Sequence, residues 1–313
     1  MNRQFICQEL KRGSILVVCL WAIMILSILG LGISGLVFQE LRFSKTYFRL
    51  VTSLPIASAA LKKVFYDRQK DSTLVFDTWD ELSQEVQVEL TEDCAYRYFF
   101  VDKSKAADNP EIIDESALIN LNLASATILA RLPGMDEDLA KAIVNSGLRP
   151  FSTINEVLLV KELTRDKFLL FKDSVTVYGM GKVNVNTVSK PVLVALGLDE
   201  ETAEIVLSFR RQHEIKPVAK EPAKGIFDEP EPEVKADPIY GISSTSTLLN
   251  DLREFASLGL RQEQDILALL PHLTVKSEYL RFNVIPTSGR QEGLHYRIVV
   301  QPQANKVFSW EEQ

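Results

Sequence analysis

Cysteine is scarce in this chain of 313 residues: three occur, Cys7, Cys19 and Cys94. The first two lie in or before an apolar segment, which leaves Cys94 without a downstream partner. Neither a disulfide framework nor a CxxC metal knuckle can be drawn. Histidine is as sparse, with His213, His272 and His295 far apart in no ligand spacing, so a histidine metal site or general base is not expected. No Ser/His/Asp order, Walker loop or paired-carboxylate arrangement is present, and no enzyme is expected. Basic charge is in deficit, with 35 Lys and Arg against 42 Asp and Glu and a formal charge of −7. That argues against a generic nucleic-acid binder, which needs cations to neutralise phosphates. Disorder of the whole chain is excluded by a 46% hydrophobic content, enough to build a core.

Charge is missing altogether between Arg12 and Glu40, and residues 15–38 are apolar apart from Ser27 and Ser34. At 1.5 Å per residue that run reaches roughly 36 Å, against a hydrocarbon core of about 30 Å. It reads as one transmembrane helix, too long for the apolar region of a cleaved secretory signal. Arg3, Lys11 and Arg12 precede it and should stay cytoplasmic, so the rest is expected to be exported. Helical spacing continues toward Asp71, and Pro55 is expected to kink the helix.

Lys11-Arg12-Gly13-Ser14 sets basic charge on one side of a glycine and hydrocarbon on the other. This resembles a type IV prepilin leader, which implies cleavage between Gly13 and Ser14 by a membrane prepilin peptidase. An ordinary signal anchor is the alternative reading of the same residues. Pilin-like helices usually carry Glu at the fifth mature position, here Val18. In that family the carboxylate pairs with a neighbour's amino terminus inside the membrane. A subunit that starts a filament has no earlier neighbour to recruit, so Val18 is compatible with a tip subunit.

Segments 74–76, 86–90 and 96–101 near one end, and 279–285, 295–301 and 307–310 near the other, read as strands, with Thr287-Ser288-Gly289 as a turn. Between them the patterning is helical and repeats. Ile119-Asn120-Leu121-Asn122 is answered by Val183-Asn184-Val185-Asn186, and Gly134, Asp136 and Glu137 by Gly197, Asp199 and Glu200. Val175-Thr176-Val177 closes one unit and Leu273-Thr274-Val275 the other. The second unit is longer by a Pro-rich acidic insertion, 212–245. Each unit reads as helix, glycine turn, helix and two further short helices, with Thr153 and Glu156 as a capping box. The expected division is 1–13 leader, 14–71 helix, 72–113 with 276–313 as a β domain, 114–178 first repeat and 179–275 second repeat.

The repeats resemble helix-hairpin-helix modules, whose Gly-x-Gly turn offers backbone amides to a phosphate. Here the second glycine is Asp136 in one turn and Asp199 in the other, placing negative charge where phosphate would sit. A structural role is expected for Gly134, Asp136, Gly197 and Asp199, and nucleic acid is not an expected partner. Glu221, Asp228, Glu229, Glu231, Glu233 and Asp237, with Asp108, Asp114 and Glu115, could supply oxygens to calcium. They lack the spacing of a defined loop, and acidic Pro-rich segments are usually solvated linkers.

In this order the leader with Val18, Asp114-Glu115-Ser116 before the first Asn-x-Asn, the second Asn-x-Asn and the closing Leu273-Thr274-Val275-Lys276-Ser277 and Ser309-Trp310-Glu311 are similar to the general secretion pathway protein K family, the minor pseudopilin K of type II secretion. The resemblance implies an α+β protein: a long N-terminal transmembrane helix, a pilin-like antiparallel sheet from both chain ends, and an inserted all-helical domain of two SAM-like or helix-hairpin-helix-like repeats. It implies a single-pass protein of the bacterial inner membrane with its bulk in the periplasm, at the pseudopilus tip. Implied partners are other minor pseudopilins, the major pseudopilin, the prepilin peptidase and the inner-membrane secretion platform. No cofactor is required, and calcium is a possible ligand with no assigned residues. The competing readings are a membrane-anchored DNA-uptake protein and a type IV pilus minor subunit.

Overall fold

A computed structural model describes residues 3–70, 75–102, 111–112, 114–215, 238–289 and 291–312, with side chains from Ile15 onward except at 101–102, 111–112 and 291. The chain divides into two compact units at Pro55 and Ile56. Helix α1 (Arg3–Gln69) is assigned through Pro55 and ends two residues before the expected Asp71.

In the first unit every residue from Ile15 to Val51 is exposed. Among the described residues the run between Ile15 and Phe38 is therefore an apolar rod that no other part of the chain covers, and exposed hydrocarbon of that extent needs lipid or protein to cover it. Among the described residues α1 is the one helix long and apolar enough to cross a membrane.

In the second unit the end of α1 lies on a sheet. Its strands β1 (Glu85–Thr91), β2 (Cys94–Phe99), β3 (Leu280–Ser288), β4 (Tyr296–Gln301) and β5 (Lys306–Glu312) lie in that spatial order, with Gln291–Glu292 paired to β3. All pairings are antiparallel. Alternate residues on one face, among them Tyr98, Phe282, Val284, Ile298 and Val300, form a core with Ile56, Ala57, Ala60 and Val64 of α1. Positions 56, 60 and 64 recur every fourth residue, one stripe of a helix.

The strand expected at 74–76 is not formed: Val75 is in a turn and Phe76 is irregular, while Leu74 lies outside the described residues. Thr78 instead caps a one-turn helix α2 (Trp79–Leu82), its hydroxyl accepting from the Glu81 amide. Val101 leaves β2 and pairs, through Val101–Asp102, with Glu111–Ile112. Thr287 and Ser288 are still in β3, and the turn falls at Gly289.

β2 and β3 are neighbours, with Phe99 opposite Asn283, although residues 100–279 separate them. That excursion holds α3 (Ala126–Leu129), α4 (Glu137–Asn145), α5 (Arg165–Phe171), α6 (Lys190–Leu196), α7 (Glu200–Gln212), α8 (Leu248–Phe255) and α9 (Leu260–Leu269) around one continuous core. Each repeat is closed by a two-residue parallel pair, Ile119–Asn120 with Val175–Thr176 and Val183–Asn184 with Leu273–Thr274. The expected third helix is a 3₁₀ segment, Ile154–Leu159. No capping box forms there, since Glu156 accepts from the Ser152 amide at 2.8 Å and the Thr153 side chain caps nothing.

Phe282 is 0% exposed and packs edge to face on Tyr98. Phe282→Ala should lower unfolding free energy by about 3–5 kcal/mol, measured by urea denaturation. A loss below about 1 kcal/mol would contradict this core.

Candidate functional site

The Asn-x-Asn pairs explain how each repeat is built. The Asn120 carboxamide oxygen accepts from the Asn122 amide at 2.8 Å, and that of Asn184 accepts from the Asn186 amide at 2.9 Å. The second Asn clamps a remote loop by both ends of its side chain. Asn122 accepts from the Phe151 amide at 2.7 Å and donates to its carbonyl at 3.0 Å. Asn186 does the same to Ile242, at 2.7 and 2.9 Å. Only a side chain carrying both a donor and an acceptor can stand in for a strand neighbour in this way. An arginine supports each turn from a different place in sequence: Arg149 donates to the Ala124 carbonyl, and Arg210 to those of Val185 and Val188.

At the hairpins, Gly134 and Gly197 have φ of 73° and 131°, where only glycine is unstrained. A Cβ on Gly134 would lie 2.5 Å from Leu170. Asp136 and Asp199 are the N-caps of α4 and α7, accepting from the Leu139 amide at 2.8 Å and the Thr202 amide at 2.7 Å. Lys167 also pairs with Asp136 at 2.9 Å. The amide-rich helix starts that could greet a phosphate are thus occupied by the chain's own carboxylates. Backbone amides hold both carboxyls below the usual range.

A buried polar joint, whose members Asp77 and Thr187 carry no sequence signal, fastens the helical repeats to the sheet. Asp114 is fully enclosed. It accepts from the Ser116 amide at 2.9 Å, the Thr187 hydroxyl at 2.5 Å and the Ser277 hydroxyl at 2.6 Å. Ser277 in turn accepts from Asn184 at 2.7 Å, and its amide donates to Asp77 at 2.7 Å. Asp77 also takes a bond from Arg68 of α1 at 3.1 Å. Beside them Glu115 accepts from Thr176 and pairs with Arg281 of β3. Asp114 and Glu115 therefore already have protein partners for their oxygens. Desolvation pushes the Asp114 carboxyl up to about 7, against the lowering pull of its three hydrogen bonds.

Of the remaining sequence-derived positions, Lys11, Arg12, Gly13 and Ser14 lie in α1 where side chains are not described, and Val18 is 64% exposed. Asp108 and the acidic residues 221–237 lie outside the described residues.

Two predictions follow from this geometry. Asn186→Ala orphans both Ile242 backbone groups and should cost about 3 kcal/mol, whereas a surface Asn→Ala change should cost almost nothing; equal costs would contradict the clamp. Asp114 binds its proton more tightly folded than unfolded, so its contribution to stability is present below about pH 4 and is lost as pH rises to about 7. Asp114→Asn should remove that downward slope between about pH 4 and 7 from urea midpoints. An unchanged profile would mean that the carboxyl is not the titrating group.

Comparison with known proteins places these features. The helix-hairpin-helix motif matches residues 114–176, the first repeat. No curated protein matches the sequence. A chain of the crystal structure of the GspK-GspI-GspJ complex from the enterotoxigenic Escherichia coli type 2 secretion system is similar in structure. Its TM-score is 0.54 at 16% identity, over 88% of this chain and 99% of that one. This chain has a pseudopilin-like fold: a long apolar N-terminal helix, an antiparallel sheet, and a helical body set between two neighbouring strands.

Proposed function

We propose that this protein is a minor pseudopilin at the tip of a type II secretion pseudopilus, where it initiates assembly and supports export of folded proteins across the outer membrane. The observation that carries the reading is the helical body inserted between β2 and β3 of a pilin-like sheet. A filament whose subunits pack through N-terminal helices has room for such a body only where no subunit follows. The fold likeness to a chain of the GspK-GspI-GspJ complex supports the same role, with other minor pseudopilins as partners.

In this reading the prepilin peptidase cuts after Gly13, Ser14 becomes the methylated first residue, and residues 15–38 hold the protein in the inner membrane with its bulk in the periplasm. Val18 gives the helix no carboxylate for a preceding subunit, which is compatible with a tip position. The role is structural and needs no cofactor. The helix-hairpin-helix match favours DNA binding as a second reading. Against it stand the carboxylates capping both hairpins and the net negative charge.

Coexpression with a prepilin peptidase and mass spectrometry of the extracted protein should find Ser14 at the amino terminus, and Gly13→Leu should leave the precursor intact. An intact Met1 in the unmodified protein, or normal processing of Gly13→Leu, would remove the pilin-like reading. Salt-sensitive DNA binding lost on a Lys or Arg change in the repeats would replace it with the second.

A further inference from the structure

The sheet of the second unit ends on β1 and on β5, and the two edges are built differently. β5 is broken in its middle. Its register passes from Ser309 opposite Val299 to Val307 opposite Val300, which leaves Phe308 as the extra residue of a bulge, and the strand opens on Lys306. Bulges and lysines are devices that stop an edge from recruiting another strand. β1 carries neither over most of its length. Glu85 to Glu89 pair with Phe99 to Ala95 without interruption, and the irregularity falls at the far end, between Glu89 and Thr91. The strand is seven residues long and contains no Pro, Lys or Arg. Every second residue along it turns its N–H and C=O away from β2, and among the described residues no other segment takes up those groups.

The two faces of β1 define what fits beside it. Val86 and Val88 pack at the margin of the core under α1 and are half-buried there, while Leu90 is 44% exposed. Apolar side chains of one more strand would extend that face. On the other face Glu85, Gln87 and Glu89 are exposed. Residues 71–96 hold eight Asp and Glu and no Lys or Arg. Arg97 of β2 is divided between Glu85 at 3.3 Å and Glu292 at 2.8 Å. Glu89, Glu92 and Asp93 have no ion-pair partner among the described residues. A second copy of β1 does not supply the missing cations. Centred on Gln87, it would set Glu85 against Glu89, and like charges directly opposite are destabilising.

We infer that the outer edge of β1 receives an extended segment of a partner protein in which apolar residues alternate with Lys or Arg. Main-chain hydrogen bonds to the edge supply affinity, as in strand addition generally. The apolar residues cover Val86 and Val88, and the cations meet Glu85 and Glu89, which selects this segment over an acidic or neutral one. The inference needs only the sheet of the second unit. It does not depend on the pseudopilus reading and would survive a failure of leader processing.

The test uses the full chain in phosphatidylcholine nanodiscs and short fluorescent peptides of alternating Val and Lys, or of alternating Val and Glu. Two further Val-Lys peptides are N-methylated, one at every Val and one at every Lys. A strand turns alternate amides to opposite edges, so one of these two keeps its donors for β1 and the other loses them. Saturable binding of the Val-Lys peptide is expected, weakened at least about tenfold in the Val-Glu peptide and in one methylated form. Glu85→Lys with Glu89→Lys should reverse the preference between the Lys and Glu peptides. Both positions are exposed, so an unchanged urea midpoint will show that the variant remains folded. Equal behaviour of the two methylated peptides would mean charge attraction without strand addition and would overturn the proposal, as would no binding or binding indifferent to the variant. Pairing of discs that the variant alters, with no peptide bound, would make a second copy the occupant and overturn it too.

Discussion

Two buried carboxylates, Asp77 and Asp114, tie the helical repeats to the approach to the sheet and to the end of α1. Between them they engage the end of α1, the entry to the first repeat, the Asn184 turn of the second and the approach to β3. Apolar contact alone is non-directional and would let a helical body slide over a sheet. A chain of short, satisfied hydrogen bonds in a desolvated joint fixes one arrangement, and each partner removed leaves a buried charge or dipole unpaired. The cost of enclosing Asp114 shows in its raised carboxyl pKa, and the hydroxyls of Thr187 and Ser277 offset part of it.

The same economy governs the repeats. Two stretches of sequence build similar cores because an Asn closes each turn and a second Asn pins a distant loop. The elements between these fixed points differ freely. A 3₁₀ segment occupies one repeat where α8 occupies the other, and Arg149 and Arg210 reach equivalent carbonyls from a loop and from a helix. Gly134 and Gly197 are fixed by backbone conformation, and Asp136 and Asp199 by the helix starts they cap. Acidic caps stand in the place of the second glycine, and their carboxylates occupy the helix-start amides of α4 and α7.

Much of this was legible in the chain because its signals are local or periodic. The charge-free stretch located the apolar helix, alternation located β1 to β5, and the recurrence of Asn-x-Asn located the repeats. What could not be read depends on contacts between remote residues. Asp77 finds its partners Arg68 and Ser277 at separations of 9 and 200 residues, and nothing in Val75-Phe76-Asp77 marks it as a joint. The trio 74–76 carries strand propensity, but Thr78 starts a helix immediately after it, and Asp77 is held instead by its backbone bond to Val275 at 2.8 Å. The bulge at Phe308 was invisible for the same reason: an alternating pattern gives no sign of the residue that the partner strand skips.

The acidic insertion leaves and rejoins the second repeat through a narrow neck. Glu214–Ile215 pairs antiparallel with Ile239–Tyr240, and the Gly241 amide donates to the His213 carbonyl at 3.0 Å. Next to it, Asn186 fixes Ile242. The entropic cost of holding two ends together grows only with the logarithm of the length of chain between them. A change in the length of the segment the neck subtends therefore adds little to the cost of closing it, which makes the neck a port where an engineer can splice in a reporter.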